Sequence, residues 1–516
     1  MTSLLARLSR RLPLDRTLLA SIIVVQLILG TALLLTRAPH SDEGTFGNAA
    51  YLLATKGYLG MPTLDPPAGH WLAGIDRHMY WNMPLYMIVV AGWFKLFGVS
   101  LFGERFVSLL FCALATLAWY VVIRCLTRDR AAALLGAALI GLNYDLFVVG
   151  TGGRTDMMCA GLYASGMAAY LALRERNLFA AILVSQSLLA CSLLTHPYAA
   201  FGILATLVFA LVYDRSRLRW SFLGAAAAPY ALAIGAWLIY AAQAPAIARA
   251  QLLGNVAAGR INSFAAPLHA LRREIAERYI VLAGGFRSHV PVAMRLRLLV
   301  FLAYLAAFCG GLLPSFRRRP GHALLLSLMG IDFLLLTYFE NLKWYVYLIH
   351  VIPVYAAVLA LFLVWLWRDR RVPRAVPVLA AAGFLLFNVG SIAYRVRIDS
   401  YKNAYLPAAR FLLHAARPGE LIMGSSQFAH AFHFNGQVLE DYTLGFESRK
   451  NPVFIVVESQ VQGWFDTYER TRPDIIAHIR RQLGARALLF TVKCSNESYQ
   501  IYGPPDRKPR AATDAR

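Results

Sequence analysis

Two adjacent carboxylates, Asp42 and Glu43, open the stretch SDEGTFGNAAYLLATKG, directly after one of the most apolar runs in the chain. Another acid, Asp156, follows an arginine in GGRTDMM. LTHPY supplies His196, and ENLKWYVY supplies Glu340, Lys343, Tyr345 and Tyr347. These residue types suit displacement of a phosphate. A carboxylate can take or orient the proton of an attacking hydroxyl or amine. A second carboxylate can hold the acceptor or steady positive charge developing at the reacting carbon. The departing phosphate needs Arg or Lys, whose charge-assisted hydrogen bonds stabilise the growing anion. Asp42 is the base candidate and Asp156 the second acid; Arg77, Arg154, Arg260, Arg287 and Lys343 are the phosphate candidates.

Each residue also has a plainer reading. Asp42 or Ser41 can cap a helix, and Glu43 can favour the helix dipole or simply be solvated. GGRTDMM can be a tight turn with a local ion pair. His196 before Pro197 can be a satisfied interfacial histidine, and the Lys and Tyr residues of KWYVY suit an interfacial belt. What joins them is their shared side and similar depth once the elements are traced.

The chain has 516 residues, 58% hydrophobic and 15% charged. Apolar runs of roughly 18–22 residues recur over most of it, the length a helix needs to cross a hydrocarbon core. The fold class expected is an all-α polytopic membrane domain with a smaller α/β domain after it. The net charge of +23 does not indicate nucleic acid, because much of the Arg lies in short clusters between apolar runs, as cytoplasmic loops require. The cysteines (Cys112, Cys125, Cys159, Cys191, Cys309 and Cys494) show no CxxC pair and no metal-like spacing. Neither disulfides nor structural zinc are expected.

Placing every Arg cluster on one side gives about eleven spans. The first runs outward from Arg16 to Thr36 as an uncleaved helix with a cytoplasmic N-terminus. RCLTRDR, RERN, DRSRLR, RRRP and RDRRVPR then end the inward-returning helices. The short apolar segment MPLYMIVVAGWFKLFG would invert this parity if it crossed, so it is expected in the outer interface. The membrane domain is expected over 1–395, with a first outer loop at 37–104 and another at 243–295. An extracytoplasmic α/β domain is expected over 396–503, with helices at YLPAARFLLHAA and RPDIIAHIRRQLG and strands at ELIMG, QVLE, PVFIVVES and RALLFTVK. The end, 504–516, is expected to be a disordered tail. No internal repeat of the transporter kind is visible.

These motifs resemble the GT-C fold glycosyltransferases of the protein O-mannosyltransferase and aminoarabinose lipid A transferase group. SDEGTFGNAAYLLATKG is similar to the family's first-loop acidic motif and first interfacial helix. MYWNMPLYMIVVAGWFKLFGVSLFGERFVSLLF is similar to its Tyr-x-Lys-Pro-Pro-Leu segment and the helix after it. GRTDMM is similar to its second acidic motif, and KWYVYLIHVIPVYAAVLAL to its Lys, Tyr and Pro run. The resemblance covers roughly 16–352. It implies Asp42 as catalytic base with Glu43 beside it, and Asp156 as second acid with Arg154 as neighbour. It makes Glu43, Tyr80, Asn82, Pro84, Tyr86, Arg154, Lys343 and Tyr345 substrate-binding positions, together with Arg77, His196 and Arg260. Asn82 stands where the family has Lys, Met83 replaces its first Pro, and His196 stands where relatives often have Lys. Arg77 is the candidate to compensate.

The implied activity is inverting transfer of a sugar from a polyprenyl-phosphate donor to an extracytoplasmic acceptor, whether glycolipid, lipopolysaccharide, cell-wall glycan or protein. The implied setting is a bacterial inner membrane. No metal ligands are assigned, and a divalent metal stays open. Rival readings are a flippase for lipid-linked sugars, which predicts midplane ionisable residues and broken helices, and a polymerase or ligase of lipid-diphosphate glycans. The latter would lean on outer Arg and His rather than Asp42.

Overall fold

The computed structural model describes residues 14–67, 69–257, 263–283, 292–495 and 497–507. Arg260, Arg287 and most of the expected tail lie outside the described residues. Among the described residues, five helices are long and apolar enough to cross a membrane: Leu14–Thr36 (α1), Leu101–Thr127 (α4), Ser221–Ala241, His322–Phe339 and the run Ala375–Ala415. Arg130–Gly141 (α5) and Tyr144–Gly150 (α6) make a further span if taken together, bent by 55°. The chain is a multi-pass membrane protein.

The remaining expected spans are helices as well; Thr155–Leu173 has 19 residues and the others are shorter. Leu178–Leu193, Ala199–Tyr213 and Ile352–Arg368 are apolar helices of fewer than eighteen residues. Two expected spans start in tight 3₁₀ turns, Val292–Arg297 before Leu298–Gly311 and Tyr345–His350 before Ile352–Arg368. The second of these turns draws the polar N-terminal end of its helix into the site described below. Length and apolarity alone therefore mark fewer crossings than loop charge does.

The segment expected as the first outer loop contains both expected interfacial helices, Ser41–Lys56 (α2) and Leu85–Phe97 (α3). The cap of α2 differs from expectation. Neither Asp42 nor Ser41 caps it; the His40 ring accepts from the Asp42 N–H at 3.2 Å, while Glu43 reaches back to the His40 N–H at 2.7 Å. This reciprocal capping box leaves the Asp42 carboxylate free for another partner. Gly57, at φ 80°, ends the helix in the left-handed region that glycine tolerates.

Small residues let the membrane helices approach closely, as packing without a hydrophobic drive requires. A Cβ on Gly161 of helix Thr155–Leu173 (α7) would lie 2.7 Å from the Phe111 carbonyl oxygen of α4. Gln26 of α1 is buried and donates to Thr116 Oγ1 of α4 at 3.1 Å. The bend between α5 and α6 falls at Asn143, whose side chain caps α6 by accepting from the Asp145 and Leu146 N–H groups. Asn143 Nδ2 also donates to the Tyr304 hydroxyl at 3.1 Å. The short α6 then delivers the chain into Gly152–Gly153–Arg154.

The C-terminal α/β unit has strands Ile422–Gly424 (β1), Val438–Glu440 (β2), Phe454–Glu458 (β3), Ala487–Cys494 (β4) and Glu497–Gly503 (β5), in the order β2-β1-β3-β5-β4. β1 runs parallel to β2 and β3, and β5 is antiparallel to β3 and β4. Successive side chains alternate faces. Phe454 and Val456 pack with Ala408 and Leu412 of helix Leu406–Ala415, whereas Ile455 and Val457 pack with Val461 and Phe465 of Ser459–Thr471 (α8) and with Ile475 and Ile479 of Pro473–Gly484.

This unit sits directly on α2. A Cβ on Gly44 would come within 2.0 Å of the Ser426 carbonyl oxygen, and one on Gly47 within 2.7 Å of His430 Nε2. Two glycines one turn apart thus bring the unit against the acid-bearing helix. Hydrogen bonds hold the unit in place: Ser426 Oγ donates to the Ser41 carbonyl at 2.7 Å, the Glu440 N–H donates to the Thr63 carbonyl at 2.8 Å, and His430 Nε2 lies 2.8 Å from Glu104 Oε2 of α4. Burial pushes the His430 imidazole down to about 4, so it meets Glu104 uncharged.

Candidate active site

The two neighbouring acids have different environments. Glu43 is fully buried. Arg105 grips it with both arms, Nε to Oε1 at 2.8 Å and Nη2 to Oε2 at 2.9 Å, and Arg37 approaches at 3.3 Å. The Gly153 N–H donates to it at 2.9 Å. Burial alone would raise the Glu43 carboxyl, but the charges of Arg105 and Arg37 and these hydrogen bonds hold it below the usual carboxylate range. Its expected substrate contact is therefore not what the structure presents. Both carboxylate oxygens are taken, and Glu43 ties α1, α4 and the Gly153 loop to the first turn of α2.

Asp42 is a quarter exposed, with 26% of its side chain accessible. It forms an ion pair with Arg154 through Nη1, and Arg154 Nε donates to Asp156 Oδ2 at 3.0 Å. The guanidinium thus bridges the two expected catalytic acids. Asp156, in the first turn of α7, is almost wholly buried, and its Oδ1 has no hydrogen-bond partner among the described residues. That oxygen is 3.9 Å from His196 Nε2.

His350, a residue the sequence reading did not single out, completes this corner. It ends the 3₁₀ turn Tyr345–His350, is buried, and neither ring nitrogen has a hydrogen-bond partner among the described residues. Its ring stacks 6.2 Å from that of His196, with Tyr198 and Phe201 also against it. One ligand atom from each of Asp156, His196 and His350 lies within 4.8 Å of the others. One carboxylate and two imidazoles, with unsatisfied buried atoms, fit a divalent transition metal. These residues, which the sequence reading did not assign to metal, are the ones that could hold it.

The other expected positions fall into distinct groups. Tyr86 is buried behind the acids, its hydroxyl 3.2 Å from Ser108 Oγ and donating to the Glu104 carbonyl at 3.3 Å. Pro84 starts α3. Tyr80 is buried, and its hydroxyl donates to the Tyr240 carbonyl at 3.2 Å. Asn82 Nδ2 is buried without a hydrogen-bond partner among the described residues. Arg77 is exposed, and Tyr345 is 37% exposed at the start of its turn.

Lys343 departs from its expected role as a phosphate contact. It is fully buried, and its Nζ donates to the Thr337 and Glu340 carbonyls at 2.5 and 2.7 Å and pairs with Glu274 at 3.2 Å. Arg278 joins the same cluster, 2.7 Å from Glu274 and 2.6 Å from Glu340. The lysine's charge is met by an internal acid, so Lys343 braces the turn leading to His350 instead of facing a ligand.

No protein-family model matches this chain, and no curated protein matches it by sequence. Solved structures do match it. The crystal structure of ArnT from Cupriavidus metallidurans bound to undecaprenyl phosphate aligns with a TM-score of 0.55 at 15% identity, covering 93% of this chain and 97% of that one. The archaeal oligosaccharyltransferase AglB from Archaeoglobus fulgidus, in complex with an inhibitory peptide and a dolichol-phosphate, aligns with a TM-score of 0.55 at 11% identity, covering 93% of this chain and 74% of that one. At such identities the likeness defines architecture: this is a membrane protein of the GT-C fold. The expected fold is borne out, with its helical membrane part and C-terminal α/β unit.

Proposed function

We propose that this protein is an inverting glycosyltransferase that moves a sugar from a polyprenyl-phosphate donor to an acceptor outside the cytoplasm. The observation that carries the reading is the Asp42–Arg154–Asp156 bridge at the ends of apolar helices, in a GT-C frame. The polyprenyl phosphates bound to ArnT and AglB support the donor class. A lipid-borne phosphate suits a site where the tail stays in the bilayer and the sugar has just emerged.

Asp42, the accessible acid, accepts the proton of the acceptor hydroxyl or amine as that atom attacks the anomeric carbon. The new bond forms on the face opposite the phosphate, and the carbon–oxygen bond to phosphate breaks, its electron pair leaving with the phosphate. Arg154, already between the acids, provides donors to the leaving group, and His196 lies within the same corner. Asp156 holds Arg154 in place. A cation on Asp156, His196 and His350, when bound, would supply further positive charge for the phosphate. The bent α5–α6 pair, which a flippase reading would favour, has a local explanation here: it carries the chain to Gly153 and Arg154.

The test is mass spectrometry of envelope glycolipids, glycans and proteins from cells lacking this protein, complemented with wild type or Asp42→Asn. One sugar-sized mass should vanish, return with wild type, and stay absent with well-expressed Asp42→Asn. Full restoration by Asp42→Asn would remove the base assignment and favour the ligase reading; an unchanged profile on deletion would favour transport.

A further inference from the structure

The end of the membrane domain opposite the acids holds a second polar concavity. Helix α4 carries the Glu43 clamp, Arg105, in its first turns and ends at Thr127, about 33 Å further along at the helical rise. The helix Ile352–Arg368 likewise starts beside His350 and ends at Arg368. Where the two helices finish, an open basin of about 500 Å³ is lined by Thr127, Arg128, Asp129, Arg130, Ala131 and Arg368. Three arginines thus share the basin with one aspartate.

That aspartate is already committed. Asp129 caps α5 by accepting from the Ala131 and Ala132 N–H groups at 3.1 and 3.2 Å, and it pairs with Arg368, whose Nη2 donates to Oδ1 at 3.1 Å. Arg128 and Arg130 are exposed and make no ion pair or side-chain hydrogen bond among the described residues. Both also stand where the backbone does not favour them. Arg128 ends α4 at φ 58°, in the left-handed region that usually takes Gly. Arg130 opens α5, where the helix dipole disfavours a cation. Topology alone explains arginine at such helix ends. At DRSRLR, however, the charge is met internally, Asp214 pairing with both Arg174 and Arg217 at 2.8 Å. In the basin the excess positive charge is left for a ligand to meet.

The basin lies at the depth of a membrane interface. Trp367, next to Arg368, is 43% exposed, and the Arg374 guanidinium sits 5.4 Å over its ring. An exposed indole at the end of an apolar helix marks the headgroup level. A Cβ on Gly321, at φ 74°, would lie 2.4 Å from the Leu126 carbonyl oxygen, so the RRRPG turn is seated against the end of α4 and brings Arg317 and Arg318 to the same end, outside the basin lining. Two free guanidinium groups suit a phosphate, whose oxygens accept their planar, forked donors. Such a phosphate can belong to a lipid headgroup or come from solution, and the interfacial depth favours the lipid. We infer that the basin binds the phosphate of an anionic phospholipid and that the bound headgroup ties the end of α4 to α5 and to Ile352–Arg368. This site is separate from the candidate active site and does not depend on the transferase reading.

The experiment uses the purified full-length protein, delipidated in a neutral detergent, beside Arg128→Gly, Arg130→Gln and a control double variant, Arg317→Gln with Arg318→Gln. Each is titrated with dioleoylphosphatidylglycerol, with zwitterionic dioleoylphosphatidylcholine and with inorganic phosphate. Native mass spectrometry counts the lipid retained per chain, and thermal melting is followed in parallel. Wild type should hold one phosphatidylglycerol that raises its melting midpoint. Arg128→Gly and Arg130→Gln should each raise the half-saturating phosphatidylglycerol level about fivefold, while the control double variant stays close to wild type. Without lipid, Arg128→Gly should melt no lower than wild type, because Gly suits the left-handed position, which separates lost binding from misfolding. Unchanged half-saturation in both basin variants, or an equal loss in the control, would mean diffuse surface charge and overturn the site. Equal retention of phosphatidylcholine would overturn the anionic headgroup, and displacement of phosphatidylglycerol by an equal concentration of inorganic phosphate would assign the basin to a free anion and overturn the lipid.

Discussion

Replacing Glu43 by Gln would remove one negative charge and almost no volume, from a place where that charge has no access to water. Arg105 is 1% exposed and Arg37 10% exposed at their side chains, so both cations would face a neutral amide in a buried setting. Leaving one side of a buried ion pair uncompensated costs about 3–5 kcal/mol. The amide oxygen of the substituted side chain can still accept from the Gly153 N–H, which retains part of the network and places the expected loss near the lower figure, about 3 kcal/mol. Stability should be read as the shift in denaturant midpoint of the purified protein, and coupling by a cycle with Arg105→Met, where the double variant should be less damaged than the sum of the singles. The pH dependence has a definite sign. The folded Glu43 carboxyl is held below its ordinary value, so its contribution is complete above the ordinary Glu range and fades only as pH falls through the lowered value. Wild type and Glu43→Gln should therefore differ fully at neutral pH and converge in strong acid. Asp42→Asn, one residue away, should abolish transfer with little change in stability. If Glu43→Gln proved as stable as wild type and altered only the acceptor or donor requirement, the buried-clamp reasoning would be refuted and Glu43 would belong with the substrate contacts.

Three further outcomes are expected. Purified protein equilibrated with zinc or manganese and desalted should retain about one ion per chain, and His350→Ala should lose it; elemental analysis showing no ion above background in wild type would dismiss the site. Gly44→Ala should loosen the seam at a cost of about 1–3 kcal/mol, because its Cβ meets the backbone oxygen of Ser426, which no rotamer can move; faster hydrogen exchange at 425–430 would register it. Burial pushes the Glu458 carboxyl up to about 7, so folding is favoured most below about pH 4.5 and loses up to about 3 kcal/mol as pH climbs towards 7. Glu458 caps α8 through the Gln460 and Val461 N–H groups, so Glu458→Gln should flatten that slope in a pH series of melting curves.

Asp42, Arg154 and Asp156 could be singled out in sequence because all three sit at the ends of apolar runs, where a charge has little other reason to be; that Arg154 bridges the two acids could not. Arg105 was not, since it opens an apolar run and reads as a span boundary; its partner lies 62 residues earlier, and only tertiary structure joins them. His350 was hidden in VYLIHVIPV, where a lone histidine reads as packing. Lys343 misled for the opposite reason: in ENLKWYVY it looks solvated, yet Glu274, from a distant loop, claims it. The strand β5 escaped because ESYQIYG is short, opens on two polar residues and carries only a brief alternation, and α8 because its short apolar face is interrupted by Gly463. By contrast, β3 announced itself through PVFIVVES, a continuous apolar run suited to a strand covered on both faces.

The glycine seam at Gly44 and Gly47 bears on how such a protein could be rebuilt. With no side chains cushioning the contact, the α/β unit and the acid-bearing helix share one surface and must be shaped for each other residue by residue. Grafting the C-terminal unit of another GT-C protein onto this membrane part at the linear boundary near residue 396 would join mismatched surfaces. A working chimera would have to exchange Ser41–Lys56 along with it, so the unit of inheritance is discontinuous in sequence: the acid-bearing helix travels with the tail that lies on it.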